Sequence, residues 1–187
     1  MEYMLRFQED QIPTLAGRYV DLNSDQARED RITQRISPCT RRTGFYTRAD
    51  FLELCYWKTP RTRRRCEEND EEFIHEVTRI ALSTQNEQLR IGILMLLRGV
   101  SWPTASVLLH FGHRNPYPIL DFRALSSLSI PMPRGYDFIF WWEYVELCRE
   151  IARRTGAEMR ILDRALWQYS KENDKESTES SAGMASN

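Results

Sequence analysis

The chain has 187 residues, of which 41% are hydrophobic, and a formal net charge of −1. This length and apolar content suffice for one globular domain with its own core. Because no apolar run approaches the length of a membrane span and charges interrupt residues 1–10, the sequence excludes a membrane protein and a recognisable secretion signal, and we expect a cytoplasmic protein.

The small net charge hides a strong segregation of charge along the sequence. Residues 31–65 contain ten basic and two acidic residues, whereas residues 66–76 contain six acids and no lysine or arginine. The basic segment is either a solvated face balanced by its acidic neighbour or an edge that binds nucleic acid, because phosphates respond to local fields. We favour the second interpretation, since the turn described below indicates the same partner.

The four cysteines are spread along the chain without any Cys-x-x-Cys pair: Cys39, Cys55, Cys66 and Cys148. This spacing predicts neither a zinc site nor an iron–sulfur cluster. We therefore expect core or free thiols in a reducing cytosol.

The first part of the chain gives a mixed pattern. Within residues 1–23, residues 3–7 and 18–22 fit short extended pieces or a wrap over the core. Residues 24–36 fit a polar helix that ends before Pro38, because the residue before a proline disfavours helical backbone. A basic loop is predicted over residues 37–44.

Two capping signals precede the middle helices. The first is a capping box, a Ser, Thr, Asp or Asn followed three residues later by an acid, that begins at Thr47 and predicts a helix that stops near residue 58. The second capping box begins at Asn69. Two apolar segments follow, at residues 87–98 and 104–111, and their helical spacing lets them pack against each other across a turn.

The last part of the chain is also helical in pattern. Asp121 is predicted to cap a helix over residues 122–128, and an aromatic-rich helix follows at 137–154. Residues 171–187 have almost nothing to bury and are predicted to be disordered. The fold class is therefore all-α, with one compact multi-helix domain over residues 1–170 and a disordered C-terminal tail.

The turn between the two apolar segments has the composition of a phosphate-binding element. Gly99 supplies backbone freedom, and Pro103 suits the first turn of the following helix. A helix start presents backbone N–H groups that have no partner within the helix, and phosphate is a common anion there.

Two segments carry a family resemblance: LRGVSWPTA at residues 97–105 and PILDFRA at residues 118–124. They resemble the helix-hairpin-helix and the following Pro/Asp segment of the base-excision DNA glycosylases related to endonuclease III, the HhH-GPD superfamily. The family pattern is roughly L-x-G-V-G-x-x-T-A followed by P-h-x-D. Pro103 and Asp121 are 18 positions apart, which is the family's usual spacing between its lysine position and its catalytic acid.

The resemblance implies that Asp121 is the catalytic acid of a DNA glycosylase, acting on a flipped nucleotide at its anomeric carbon. The alternative is that Asp121 only caps a helix. Pro103 stands where bifunctional members have a lysine, and no lysine lies between Lys58 and Lys171. Schiff-base chemistry would lack its nucleophile, so the implied enzyme is monofunctional, with water as the final nucleophile.

The expected DNA interface has three groups of residues. The turn would bind phosphate through Gly99, Val100, Ser101, Trp102, Thr104 and Ala105. Further phosphates would meet Arg61, Arg63 and Arg64. A third group would form the pocket for the flipped base or the wedge that fills the space it leaves in the duplex: Tyr56, Trp57, Lys58, His113, Asn115 and Tyr117. Such residues are more often core or turn residues.

The resemblance also implies a monovalent cation on the hairpin carbonyls, and no iron–sulfur cluster, other metal or organic cofactor is expected. Ser101 replaces the usual second glycine of the family pattern. Trp102 is either a buttress within the turn or an exposed stacking residue.

The sequence thus predicts a monomeric, nucleoid-associated, monofunctional glycosylase that excises a damaged or modified base from double-stranded DNA and leaves an abasic site. Its role is either DNA repair or, for a hypermodified cytosine in phage DNA, antiviral defence. Two alternatives remain open: a non-catalytic DNA- or RNA-binding module, and a helical interaction domain in which the turn is ordinary helix packing.

Overall fold

The computed structural model of the chain describes residues 3–183, with side chains for residues 3–174. These residues form helices and no strand, which confirms the predicted all-α class. No helix in this part of the chain is long and apolar enough to cross a membrane.

Eleven α-helices follow one another in the described residues. They are α1 (Ile12–Leu22), α2 (Gln26–Arg31), α3 (Ser37–Thr43), α4 (Arg48–Lys58), α5 (Arg63–Glu67), α6 (Glu71–Ser83), α7 (Glu87–Leu94), α8 (Trp102–Gly112), α9 (Phe122–Ser127), α10 (Phe138–Thr155) and α11 (Met159–Gly183). Short 3-10 helices occupy Glu9–Gln11 and Pro60–Thr62, and a π-helix occupies Ile32–Ile36.

The chain divides into two compact units, each assembled from separate segments. Unit 1 takes the residues up to Asn23, then Asp121–Arg134, then those from Leu147 onward. Unit 2 takes Ser24–Leu120 and Gly135–Glu146. The single domain expected over residues 1–170 stays a prediction.

Unit 1 is built on α11, which packs against α1 and α9. Leu162 and Leu166 of α11 are fully buried. Residues 18–22, one of the two segments that the sequence fits to an extended piece, are instead the last part of the helix α1. Pro13 lies in its first turn, where the missing N–H of proline has no intrahelical acceptor to lose.

The packed part of α11 continues past Lys171, where the disordered tail is predicted to begin. Glu172 pairs with Arg18 at 2.7 Å, and Asp174 pairs with Arg6 at 2.8 Å. The prediction at this boundary counted only apolar burial and missed these charged partners in the amino-terminal segment. Residues 184–187 of the predicted tail lie outside the described residues.

Unit 2 is centred on α8, which packs against α3, α4 and α7. Its residues from Thr104 to Gly112 are all buried, as expected for a helix that is apolar on all sides. The Tyr46 hydroxyl donates a hydrogen bond to the Leu108 carbonyl at 2.8 Å.

The predicted helix end before Pro38 is wrong. The helix α2, the π-helix at Ile32–Ile36 and α3 follow without a break. Pro38 occupies the first turn of α3, where proline is tolerated, and the wider π-helical turn lies just before it. The predicted basic loop is therefore helical, and it ends at Gly44, which has φ 83°.

The other helix starts are close to those predicted. The Thr47 hydroxyl accepts a hydrogen bond from the Asp50 N–H at 3.2 Å and so caps α4. The cap of α6 is Asp70 and not Asn69: its carboxylate accepts from the Phe73 N–H at 2.7 Å. That difference frees Asn69 for a separate role.

Candidate nucleic-acid interface

Residues 95–101 connect α7 to α8 and are called the α7–α8 turn below. The Leu97 N–H donates to the Leu94 carbonyl at 3.2 Å, and the Val100 N–H donates to the Leu97 carbonyl at 3.1 Å. Gly99 has φ 81°, a backbone conformation that side chains with a Cβ rarely adopt. The turn therefore depends on a glycine at this position.

Gly99 also lies directly against α5. A Cβ atom at Gly99 would be 2.6 Å from the Cys66 sulfur, 2.9 Å from the Cys66 backbone nitrogen and 3.1 Å from the Arg65 Cβ. The turn thus rests on the helix that carries most of the predicted phosphate-binding arginines. This approach of two segments that are distant in the sequence joins the two predicted DNA-binding elements into one surface.

Asn69, two residues after the end of α5, holds the α7–α8 turn by hydrogen bonds to the backbone of Arg98. Its side-chain oxygen accepts from the Arg98 N–H at 2.8 Å, and its side-chain nitrogen donates to the Arg98 carbonyl at 3.0 Å. The same nitrogen donates to the Cys66 carbonyl at 2.9 Å, and Asn69 is 4% exposed. Sequence reasoning missed this residue because an Asn before acidic residues has the pattern of a helix cap.

The start of α8 carries no side-chain cap. Ser101 is the residue before the helix, its backbone is extended, and its hydroxyl makes no capping hydrogen bond. The Ala105 N–H donates to the Ser101 carbonyl at 2.8 Å, and the Val100 N–H is likewise engaged within the turn. Of the predicted phosphate donors, the N–H groups of Gly99, Ser101, Trp102 and Thr104 therefore remain the candidates.

Trp102 acts as a buttress at this helix start. It is half-buried, and its ring centroid lies 6.4 Å from that of the fully buried Trp141. Thr104 is 1% exposed, a value that includes its backbone, so its side chain is not open to a ligand.

Two carbonyl groups of the turn accept hydrogen bonds within the chain, and the implied monovalent cation stays a prediction. The Leu97 carbonyl accepts from the Val100 N–H, and the Arg98 carbonyl accepts from the Asn69 amide. Among the described residues, no group of three or more His, Cys, Asp or Glu could hold a metal ion.

The arginines beside the turn are exposed but partly neutralised. Arg61, Arg63, Arg64 and Arg65 are all exposed. Arg63 pairs with Glu67 at 3.0 Å, and Arg98 pairs with Glu68 at 2.7 Å. Hydrogen bonds from Tyr56 and Arg63 hold the pKa of the Glu67 carboxyl below its usual value. Two acids of the same segment therefore offset part of the positive charge of these arginines.

The predicted wedge residues lie at the end of α4 and are half-buried. The Tyr56 hydroxyl donates to Glu67 at 2.6 Å, and the Arg63 guanidinium lies over the Tyr56 ring at 4.7 Å. Trp57 meets Phe111 of α8 edge to face, with ring centroids 5.6 Å apart. Lys58 is half-buried in the last turn of α4.

The three predicted pocket residues after α8 lie together. The His113 Nδ1 atom accepts from the Asn115 N–H at 2.9 Å, and the His113 ring lies edge to face with Tyr117 at 5.1 Å. Tyr117 is 1% exposed and stacks on Trp141 at 6.0 Å, so its ring offers no open stacking face. Asn115 is exposed.

Asp121 begins α9 in unit 1. One carboxylate oxygen accepts from the Arg123 N–H at 2.9 Å, and the Asp121 carbonyl accepts from the Leu125 N–H at 3.0 Å. The predicted capping role is thus confirmed. The residue is half-buried.

The structure brings the α7–α8 turn and the arginines of α5 together, although the sequence gives only their separate positions. It also adds the exposed Arg98 to this surface, and the buried Asn69 and Cys66 support the turn. Among protein-family models, curated proteins and solved structures, none matches this chain.

Proposed function

We propose that this protein is a monofunctional DNA glycosylase, which binds double-stranded DNA and hydrolyses the bond between a damaged or modified base and its deoxyribose. The product is an abasic site. In this proposal residues 87–112 act as a helix-hairpin-helix, and Asp121 is the catalytic carboxylate.

The observation that carries the DNA-binding half is the contact of Gly99 with Cys66 and Arg65. It puts an uncapped helix start and a run of exposed arginines side by side. A phosphate at the start of α8 would accept from the Gly99, Ser101, Trp102 and Thr104 N–H groups, and the flanking phosphates would meet Arg61, Arg64 and Arg65. These contacts would recognise the DNA backbone and confer no specificity for base sequence.

The catalytic half rests on Asp121. The transition state of base release carries positive charge on the sugar, which a carboxylate stabilises, and the same group can orient the attacking water. The Arg123 N–H fixes one carboxylate oxygen at 2.9 Å, so the group is held by the backbone of α9. Support for this role comes from the family resemblance of the segment.

The absence of lyase chemistry follows from residue types. Pro103 lies in the first turn of α8 at the position of the family lysine, and a proline inside a chain has no amine that could form a Schiff base. Arginine, the main basic residue near the turn, cannot replace lysine in that reaction.

The test is an assay for abasic sites. Duplexes that carry uracil, oxidised, alkylated or glucosylated bases are incubated with the full chain and then examined with and without alkali. We expect strand breaks only after alkali, on one class of base. Release of a glucosylated cytosine would indicate antiviral defence, whereas release of a damaged base would indicate repair. Breaks without alkali would contradict the monofunctional assignment.

A second candidate is a non-catalytic DNA- or RNA-binding module. The surface formed by the α7–α8 turn and α5 favours it, because this surface is complete without Asp121. Salt-sensitive binding to DNA with no abasic sites on any substrate would support this candidate over the enzyme.

A further inference from the structure

A group of basic and aromatic side chains lies in unit 1, where α11 packs against α1 and α9. At its centre are Tyr19 of α1 and Trp167 of α11, whose rings meet edge to face with centroids 5.2 Å apart. Both residues are half-buried, so their rings are partly open to solvent. The group is called the unit 1 cation cluster below, and its members are Tyr19, Arg123, Arg160, Arg164, Trp167 and Lys171.

Two basic side chains from different helices lie over the Trp167 ring. The guanidinium carbon of Arg123, on α9, is 5.4 Å from the ring centroid, and the Lys171 Nζ atom is 4.9 Å from it. Both distances fall within the range of about 6 Å in which a ring attracts a cation. Within the part of the chain that the structure describes, neither Arg123 nor Lys171 forms an ion pair with a carboxylate.

Two further arginines lie over the Tyr19 ring. The guanidinium carbons of Arg160 and Arg164 are 5.5 Å and 5.8 Å from its centroid, and the Arg160 guanidinium donates to the Tyr19 hydroxyl at 3.5 Å. Arg160, Arg164, Trp167 and Lys171 follow one another at spacings of four, three and four residues, which places them on one face of α11. This face therefore carries three of the four cations.

Positive charge exceeds negative charge around these rings. The neighbouring Glu172 is already engaged, because its two carboxylate oxygens accept from the Arg18 guanidinium at 3.0 Å and 2.7 Å. The other acids close in sequence are Asp163, which is 5% exposed, and the half-buried Asp121. A surface on which cations outnumber acids attracts an anionic polymer.

The arrangement of the cations suits a chain of phosphates. A guanidinium has five N–H donors in a planar fork, which matches phosphate oxygens in pairs. Because the cations lie over the rings, the surface suits phosphate groups better than stacked bases. Arg160 and Lys171 are 11 positions apart, which is about 16 Å along the helix axis. A strand of duplex DNA carries one phosphate for about every 3.4 Å of its axis, so this face can meet several of them.

We propose that the unit 1 cation cluster binds the phosphate backbone of a nucleic acid. The four cations held over two adjoining rings, along one helix face, carry the proposal. Unit 2 has its own candidate surface in the α7–α8 turn and α5, so each of the two units would contact the backbone.

The choice of duplex DNA as the partner rests on the proposed function. Asp121 begins α9 two positions before Arg123, and its carboxylate accepts from the Arg123 N–H at 2.9 Å. If Asp121 acts on a nucleotide of duplex DNA, the unit 1 cation cluster binds phosphates near that nucleotide and helps to hold it at the carboxylate.

The experiment compares two double variants of the full chain. Arg123→Gln with Lys171→Gln removes two charges from the cluster. Arg134→Gln with Arg153→Gln removes the same charge from exposed arginines that belong to unit 1 but not to the cluster, and is the matched control. Affinity for a duplex of random sequence is measured by fluorescence anisotropy over a range of salt concentrations.

We expect the cluster variant to bind DNA at least about tenfold more weakly than the wild type. The slope of log affinity against log salt should fall by about 1.8, which corresponds to two lost phosphate contacts. In the control variant the slope should fall by less than about half of that amount.

A third double variant separates charge from packing. Arg123→Lys with Lys171→Arg keeps both charges, so its affinity should stay within about threefold of the wild type. Urea denaturation of all variants shows whether each remains folded. A charge-keeping variant that is folded but binds as weakly as the glutamine variant would overturn the inference.

The remaining outcomes separate this inference from the proposed function. Equal slopes for the cluster and control variants would overturn the inference and leave the proposed function in place, because the α7–α8 turn and α5 could still bind DNA. If the wild type binds structured RNA but no duplex DNA, and the cluster variant binds that RNA more weakly, the proposed function fails and the inference stands. Absence of binding to both nucleic acids would overturn the inference, and binding to phosphatidylserine vesicles in their place would assign the surface to a lipid membrane.

Discussion

The starts of α6 and α8 lie on either side of α7 in the sequence. Both have backbone N–H groups without a partner inside the helix, but they differ in the side chains beside those groups. The start of α6 is capped by Asp70, with Glu71 and Glu72 in its first turn. The start of α8 follows Ser101, has no side-chain cap and has no acid in its first turn. A helix start is positive, and α6 satisfies one of its N–H groups with the Asp70 carboxylate. The start of α8 has no such side-chain acceptor, and in our proposal it binds a phosphate.

The same physical device can therefore serve stability in one place and binding in another. At α6 the acids stabilise the helix and repel a phosphate. At α8 there is no such acid. The contact with α5 instead brings exposed arginines close to the helix start, and their charge favours a phosphate there. The two starts thus differ in their own side chains, and the neighbouring α5 adds to that difference.

The largest effect is expected from removing the support of the α8 start. Gly99→Ala introduces a Cβ at φ 81°, 2.6 Å from the Cys66 sulfur and 2.9 Å from a backbone nitrogen. We expect a loss of about 2–4 kcal/mol in the free energy of unfolding, measured by urea denaturation, together with weaker DNA binding.

Two other glycines separate the causes of that loss. Gly44→Ala has a similar φ of 83° but open space, so it should cost only about 1 kcal/mol. Gly92→Ala lies inside α7 in open space and should be neutral or stabilising by about 0.5–1 kcal/mol. Equal losses at Gly99 and Gly44 would show that the contact with Cys66 is unimportant.

Converting the α8 start into one like that of α6 gives the next largest effect. Ser101→Asp adds an acid cap, which should stabilise α8 by about 0.3–1 kcal/mol and weaken DNA binding about tenfold or more, because the carboxylate competes with phosphate. Ser101→Asn caps without charge and is the matched control. The affinities for DNA are measured by fluorescence anisotropy. Similar affinities of the two variants would contradict phosphate binding at this helix start.

The arginines of α5 should have a smaller effect that appears mainly in the salt dependence. For Arg64→Gln and Arg65→Gln we expect the slope of log affinity against log salt to fall by about 0.9 for each phosphate that the variant no longer binds. Arg79→Gln removes the same charge from α6, where the arginine pairs with Glu76 at 2.7 Å. An equal change in slope for Arg79→Gln would indicate a diffuse charge effect and not direct phosphate binding.

The smallest effect should come from the acids that pair with arginines beside the turn. Glu67→Gln and Glu68→Gln release Arg63 and Arg98 from their ion pairs. Exposed pairs of this kind contribute little to stability, so the free energy of unfolding should change by less than about 1 kcal/mol. DNA affinity should rise about two- to fivefold at low salt and by less at high salt. Lower affinity in both variants would contradict the positive surface.

The sequence predicts those features that depend on local chemistry. The caps at Thr47 and Asp121 and the helices on both sides of the α7–α8 turn follow from side chains within a few positions of each helix end. Gly99 is expected to supply backbone freedom, and its φ of 81° agrees. These signals need no knowledge of the remaining chain.

What the sequence does not predict depends on contacts between distant segments. Asn69 has the pattern of a cap but holds Arg98, 29 positions away. Pro38 has the pattern of a helix end but follows a π-helix that accommodates it. Glu172 and Asp174 have the pattern of a solvated tail, yet Arg18 and Arg6 provide their partners. No periodicity in the sequence encodes such pairings.

Variants of two acidic helix caps can distinguish the proposed glycosylase from a non-catalytic binding module. Asp70 and Asp121 each accept a backbone N–H at a helix start, at 2.7 Å and 2.9 Å. Asparagine caps as well as aspartate, as Asn86 does at the start of α7, so Asp70→Asn and Asp121→Asn both keep the helix start and remove a carboxylate.

The measurement is base release under single-turnover conditions, on the substrate found in the abasic-site assay, with DNA affinity measured in parallel. We predict that Asp121→Asn slows release at least about a hundredfold with unchanged DNA affinity, whereas Asp70→Asn releases the base at the wild-type rate. Wild-type base release by Asp121→Asn would contradict the catalytic role of Asp121.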